Sequence, residues 1–134
     1  MADVKTVKID LRRIKYGRKN IESLLETVNK DKQHLRFLEL REHTRENLTR
    51  IENLKAHIEV REKDIERKIN DFTVLEKKYE RAISSLNDLD QIIVREGYIR
   101  GKVYSALGER IGYTERGIEN RMKHIIEELA AIVE

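Results

Sequence analysis

The chain has 134 residues, no proline and no cysteine; 40% of it is charged, 5% is aromatic, and the formal net charge is +3. Disulfides and thiolate metal sites are excluded. The strongest helix breaker is missing, and Lys, Glu, Arg, Leu and Ile at regular spacing read as long helices rather than disorder. No apolar run approaches the roughly eighteen residues of a membrane span. The opening Met1-Ala2-Asp3-Val4 lacks the apolar core of a signal peptide, so a cytoplasmic protein with no membrane partner is expected.

The first predicted helix covers about residues 6–41. Val7, Ile14, Ile21, Val28 and Leu35 recur every seventh residue. Leu24 and Leu38 take the second seam position, and Leu11 and Leu25 widen the stripe, which is a heptad pattern. Asp10, Gly17 and Asp31 interrupt that second position. Gly17 weakens a helix by about 1 kcal/mol relative to alanine, so frayed first turns or a kink near Tyr16-Gly17 are expected. Lys5, Lys8, Arg12, Arg13, Lys15, Arg18 and Lys19 make this start basic. Such a run suits a solvated flank, a DNA backbone or an acidic partner.

A second heptad series starts at Leu48 with Ile51, Ile58, Ile65, Phe72, Tyr79 and Leu86, partnered by Leu54, Leu75, Ala82 and Leu89. Arg61 and Lys68 interrupt it, and Ile69 is expected to compensate. The two series differ in phase, which predicts a break at Glu42-His43-Thr44 with Thr44 as N-cap. Two such helices joined by a turn near residues 41–46 would pack as an antiparallel coiled-coil hairpin over residues 1–86, each about 50 Å long at about 1.5 Å per residue. One continuous helix with a stutter is the alternative. Ser84-Ser85-Leu86-Asn87-Asp88 predicts a further helix start, because these polar residues compete for backbone hydrogen bonds.

From Tyr98 the texture changes, and a second domain is expected over residues 87–134. Gly101 suits a left-handed helix end. A short helix from about Val103 to Arg110 would put Val103, Leu107 and Ile111 on one face, with Ala106 close by. Gly108 leaves room for a crossing helix, Gly112 suits a tight turn with positive φ, and Tyr113 can plug that turn. Thr114 can cap the next helix, whose buried face would be Ile118, Met122, Ile125, Ile126 and Leu129. A short helix, a glycine turn and a capped second helix form a helix-turn-helix. The expected class is therefore all-α: a long hairpin followed by a helix-turn-helix domain.

The segment from Gly101-Lys102 to Leu129 resembles the helix-turn-helix of sigma factor region four. It is more similar still to the sigma-like domains of small phage transcription regulators, the ArpU- and RinA-like group. The resemblance rests on Tyr98-Ile99-Arg100-Gly101, Leu107-Gly108, Ile111-Gly112-Tyr113-Thr114 and Glu115-Arg116-Gly117-Ile118. Gly97 stands where that group more often has arginine, and Arg121 where it has an apolar residue. The resemblance implies a phage or prophage regulator of transcription in a bacterial host cell, bound to double-stranded DNA. Its coiled coil would make a homodimer or higher oligomer, or contact RNA polymerase.

A recognition helix reads base edges from its N-terminal turns while cations hold phosphates. Arg116 suits guanine and Asn120 suits adenine. Lys102, Thr114 and Lys123 are phosphate candidates. Glu115 and Glu119 can accept from cytosine, or only pair with Arg116 or Lys123. His34, His43, His57 and His124 lack metal-ligand spacing, and no phosphate-binding glycine loop or nucleophile elbow is present, so no catalytic residue, metal or cofactor is expected. Two other readings remain open. One is a DNA-packaging protein resembling a small terminase subunit. The other is an interaction protein whose helix-turn-helix does not bind DNA, which the balanced charge and Arg121 favour.

Overall fold

A computed structural model describes residues 2–133. The described residues are all-helical in class, with 86% in helix and no strand. The helices are α1 Val4–Glu39, α2 Arg45–Ser84, α3 Asp88–Ile92, α4 Tyr104–Ile111 and α5 Glu115–Ile132, and a π-helical stretch Ile93–Ile99 continues α3. By internal contacts the chain forms two compact units. One comprises Arg18–Asp71, and the other joins the residues up to Gly17 with those from Phe72 onward.

Helix boundaries follow side-chain caps. Asp3 accepts the Thr6 amide at 2.7 Å and opens α1. That bond holds the Asp3 carboxyl below its ordinary pKa. After Glu39 the helix stops, and Thr44 accepts the Asn47 amide at 3.1 Å to start α2. Asn47 also donates from its side chain to the Glu42 carbonyl at 2.7 Å. Asn87 accepts the Asp90 amide at 2.8 Å to start α3. Each cap satisfies a donor that the first helical turn leaves open.

In the Arg18–Asp71 unit, Val28, Ile58 and Ile65 form a small core, with Leu24, Leu35 and Leu54 packed against it. Arg61 pairs with Asp31 at 3.5 Å, and Lys32 with Glu62 at 3.5 Å. Two of the charges that interrupt the heptads, Asp31 and Arg61, thus meet each other. Ile69 does not take over the seam: it is 38% exposed.

The other unit has the larger core. Val7, Leu11 and Ile14 of α1 join Tyr79, Ala82, Ile83 and Leu86, then Ile93, Val94, Leu107 and the inner face of α5. The Ala2 amide donates to the Ala130 carbonyl at 3.0 Å. The remaining α1 interruptions are also matched. Asp10 accepts from the Tyr79 hydroxyl at 2.6 Å. Gly17 faces the Phe72 ring, which a Cβ at that position would overlap. Neither the frayed first turns nor the kink expected near Tyr16-Gly17 is seen, since α1 runs unbroken from Val4 through Gly17. Close packing of the ring uses the space that the missing side chain leaves.

Candidate nucleic-acid interface

Helix α4 ends at Gly112, whose φ of 80° is left-handed. That backbone conformation is strained for any residue with a Cβ, so glycine is favoured. The Tyr113 amide donates to the Gly108 carbonyl at 2.8 Å and closes the turn. Gly108 is needed for closeness: a Cβ on it would overlap the Tyr113 carbonyl oxygen. Thr114 is extended and accepts the Gly117 amide at 3.0 Å, opening α5. The inner face of α5 is fully buried at Ile118, Ile125 and Leu129, with Met122 and Ile126 nearly so. On α4, Leu107 is buried and Ile111 half-buried, whereas Val103 is 66% exposed. Val103 was expected to start the helix on the face of Leu107 and Ile111; it lies instead before the first helical turn, with extended φ and ψ, as the α4 N-cap.

Lys102, Thr114, Glu115, Arg116, Glu119, Asn120 and Lys123 are all exposed. Arg116, Asn120 and Lys123 follow at helical spacing on the side of α5 away from Ile118 and Met122. The Arg116–Glu119 and Glu119–Lys123 ion pairs that could have absorbed these charges do not form: among the described residues the side chains of Arg116, Asn120 and Lys123 have no hydrogen-bond or ion-pair partner. Their donors are open to a ligand. The Thr114 hydroxyl accepts a bond as the cap and retains its own proton to donate.

Lys102 differs. Its ammonium lies 2.8 Å from the Glu96 carboxylate, which Arg100 also contacts. The Lys102 bond, followed by the nearby Arg100, Lys102 and Arg110 charges, holds the Glu96 pKa below the ordinary value. A phosphate contact by Lys102 must share this ammonium with Glu96.

Sequence reasoning missed what Arg121 does. Asp90 is fully buried, and Arg121 donates to it from Nε at 2.6 Å and again from an Nη. Asn87 adds a side-chain bond to Asp90 at 3.1 Å. The bond to Asp90 raises the Arg121 pKa. This fork-to-carboxylate pair ties α5 to the start of α3. Position 121 is held here by an ion pair to a buried carboxylate that lies 31 residues upstream. The signal that could have found it is Asp90 itself, a carboxylate on the apolar side of its helix beside Ile93 and Val94.

Among the described residues no three carboxylates or imidazoles converge as a metal site, and no helix is long and apolar enough to cross a membrane. Comparison with family models, curated proteins and solved structures finds no match to the chain.

Proposed function

We propose that the chain is a sequence-specific, double-stranded-DNA-binding regulator of transcription, of phage or prophage origin. In this reading α4, the Gly112 turn and α5 are a sigma-like helix-turn-helix, and α1 and α2 form an antiparallel coiled-coil hairpin. The observation that carries it is the unpaired polar row Arg116, Asn120 and Lys123 on the outer face of a helix whose start is fixed by Gly112 and Thr114. Major-groove readers place such donors on the first turns of the second helix. Arg116 takes guanine, Asn120 takes adenine, and Thr114 and Lys123 take phosphates. Glu115 and Glu119 reject guanine and accept from cytosine.

Seven Lys or Arg between Arg95 and Glu134 are matched by seven Glu. Affinity per domain is therefore modest, and a homodimer reading two half-sites compensates for it. Arg121 does not argue against DNA binding, because its charge is spent on Asp90. Phe37, Leu40 and Leu48, which flank the break between α1 and α2, are 56%, 86% and 46% exposed. They suit a protein partner such as RNA polymerase.

The test is capture of bound fragments of the source genome by the full chain and by Arg116→Ala. One enriched sequence, lost in the variant, supports the reading. No enrichment at low salt with helicity intact leaves the interaction-protein reading. A ring of eight or more subunits would favour the packaging reading.

A further inference from the structure

The basic start of α1 is not absorbed by the reading of α5, yet it belongs to the same compact unit. Arg12, Lys15 and Tyr16 of α1 line a cleft of about 230 Å³ together with Gly97, Tyr98 and Tyr104. Two cations and three phenols thus converge beside the first residue of α4. The Lys15 ammonium stands 5.2 Å from the Tyr16 ring centroid and lies against Gly101, the residue before Lys102. Among the described residues the Arg12 guanidinium makes no ion pair, and no carboxylate lines the cleft. Tyr104 is half-buried; burial, then Tyr98 and Glu119, raise its pKa and keep its hydroxyl a proton donor.

We propose that this cleft is a second DNA contact, in which Arg12, Lys15 and the Tyr104 hydroxyl hold a backbone phosphodiester adjoining the groove read by α5. The chemistry fits a phosphodiester: a planar guanidinium and an ammonium supply charge, and the Tyr104 phenol donates a neutral hydrogen bond, while the Tyr98 hydroxyl donates to the Lys8 carbonyl at 3.4 Å. It fits DNA better than an acidic peptide because the cleft is continuous with the α4 N-terminus, where helix-turn-helix domains meet the backbone. The inference rests on the DNA-binding reading above and extends the interface onto α1.

The test is the salt dependence of binding of the full chain to a mixed-sequence 30-base-pair duplex, followed by fluorescence anisotropy, with helicity checked for every variant. Each lost phosphate contact lowers the slope of log K against log salt by about 1. Arg12→Gln and Lys15→Gln are each expected to lower it by about that much. Arg13→Gln removes the same charge one residue outside the cleft and is expected to leave it unchanged. Unchanged slopes in Arg12→Gln and Lys15→Gln, with Arg116→Ala still losing sequence preference, overturn the cleft alone. An equal fall in all three α1 variants also overturns it, since general charge would then be the cause. No duplex binding by the unmodified chain overturns both the cleft and the reading of α5.

Discussion

Asp90 and Arg121 show how one residue pair sets the placement of a helix. A carboxylate with no exposed surface is tolerable only when its oxygens are bonded and its charge is met. Arg121→Ala leaves the buried Asp90 carboxyl without its cation, with only the bond from the Asn87 side-chain amide remaining among the described residues. The expected cost is roughly 3–5 kcal/mol of stability, read from urea denaturation of the two proteins. Arg121→Lys should recover less than half, because an ammonium cannot reproduce the two-pronged bond; full recovery would mean that the charge alone matters. From the sequence, Arg121 reads only as a departure from the pattern that the segment resembles. Periodicity places it on the border of the buried face, but no local pattern points to a partner 31 residues away.

At the scale of elements, local chemistry was legible and long-range matching was not. Gly112 and Thr114 act on their own neighbours within three residues, so glycine and capping preferences locate the turn from α4 to α5. The same holds for Thr44 and Asn87. The matched interruptions Asp10 with Tyr79, Gly17 with Phe72, and Asp31 with Arg61 each join residues of two different helices. A heptad count registers them only as defects, and so it placed a kink at Gly17 and an inward role at Ile69. The π-helical stretch Ile93–Ile99 leaves no periodic signature in seven residues. In the α4–α5 turn, Gly108→Ala should destabilise more than Gly112→Ala. The first Cβ meets a backbone carbonyl that cannot swing aside. The second meets nothing within 4 Å and costs about 1–2 kcal/mol through its left-handed φ. Thermal denaturation of the two variants checks the order, and a reversed order would place the tight approach elsewhere.

For the whole molecule, composition and heptads made the all-helical class legible. They did not say which helix the start of α1 packs against, because an apolar stripe serves any apolar partner equally. Acid stability is also a property of the whole chain. Asp3 bonded to the Thr6 amide, Glu80 to Arg95, and Glu96 to Lys102 all have pKa values below the ordinary 3.8 and 4.5. A lowered folded-state pKa contributes stability that is complete above the unfolded value and lost as pH falls through the folded value. The melting temperature is therefore expected to hold steady above about pH 5 and to fall below it. Glu96→Gln should flatten part of that fall; a melting curve insensitive to acid would contradict these assignments.

The central claim is that the outer row of α5 reads DNA sequence. Its most direct measurement is the ratio of affinities for an enriched genomic site and for a scrambled duplex of equal length, at one salt concentration, in the unmodified chain and in Arg116→Ala. The account predicts that the variant loses roughly 1–3 kcal/mol at the site and little on the scrambled duplex, so that the ratio collapses. An unchanged ratio in a folded Arg116→Ala protein would contradict it.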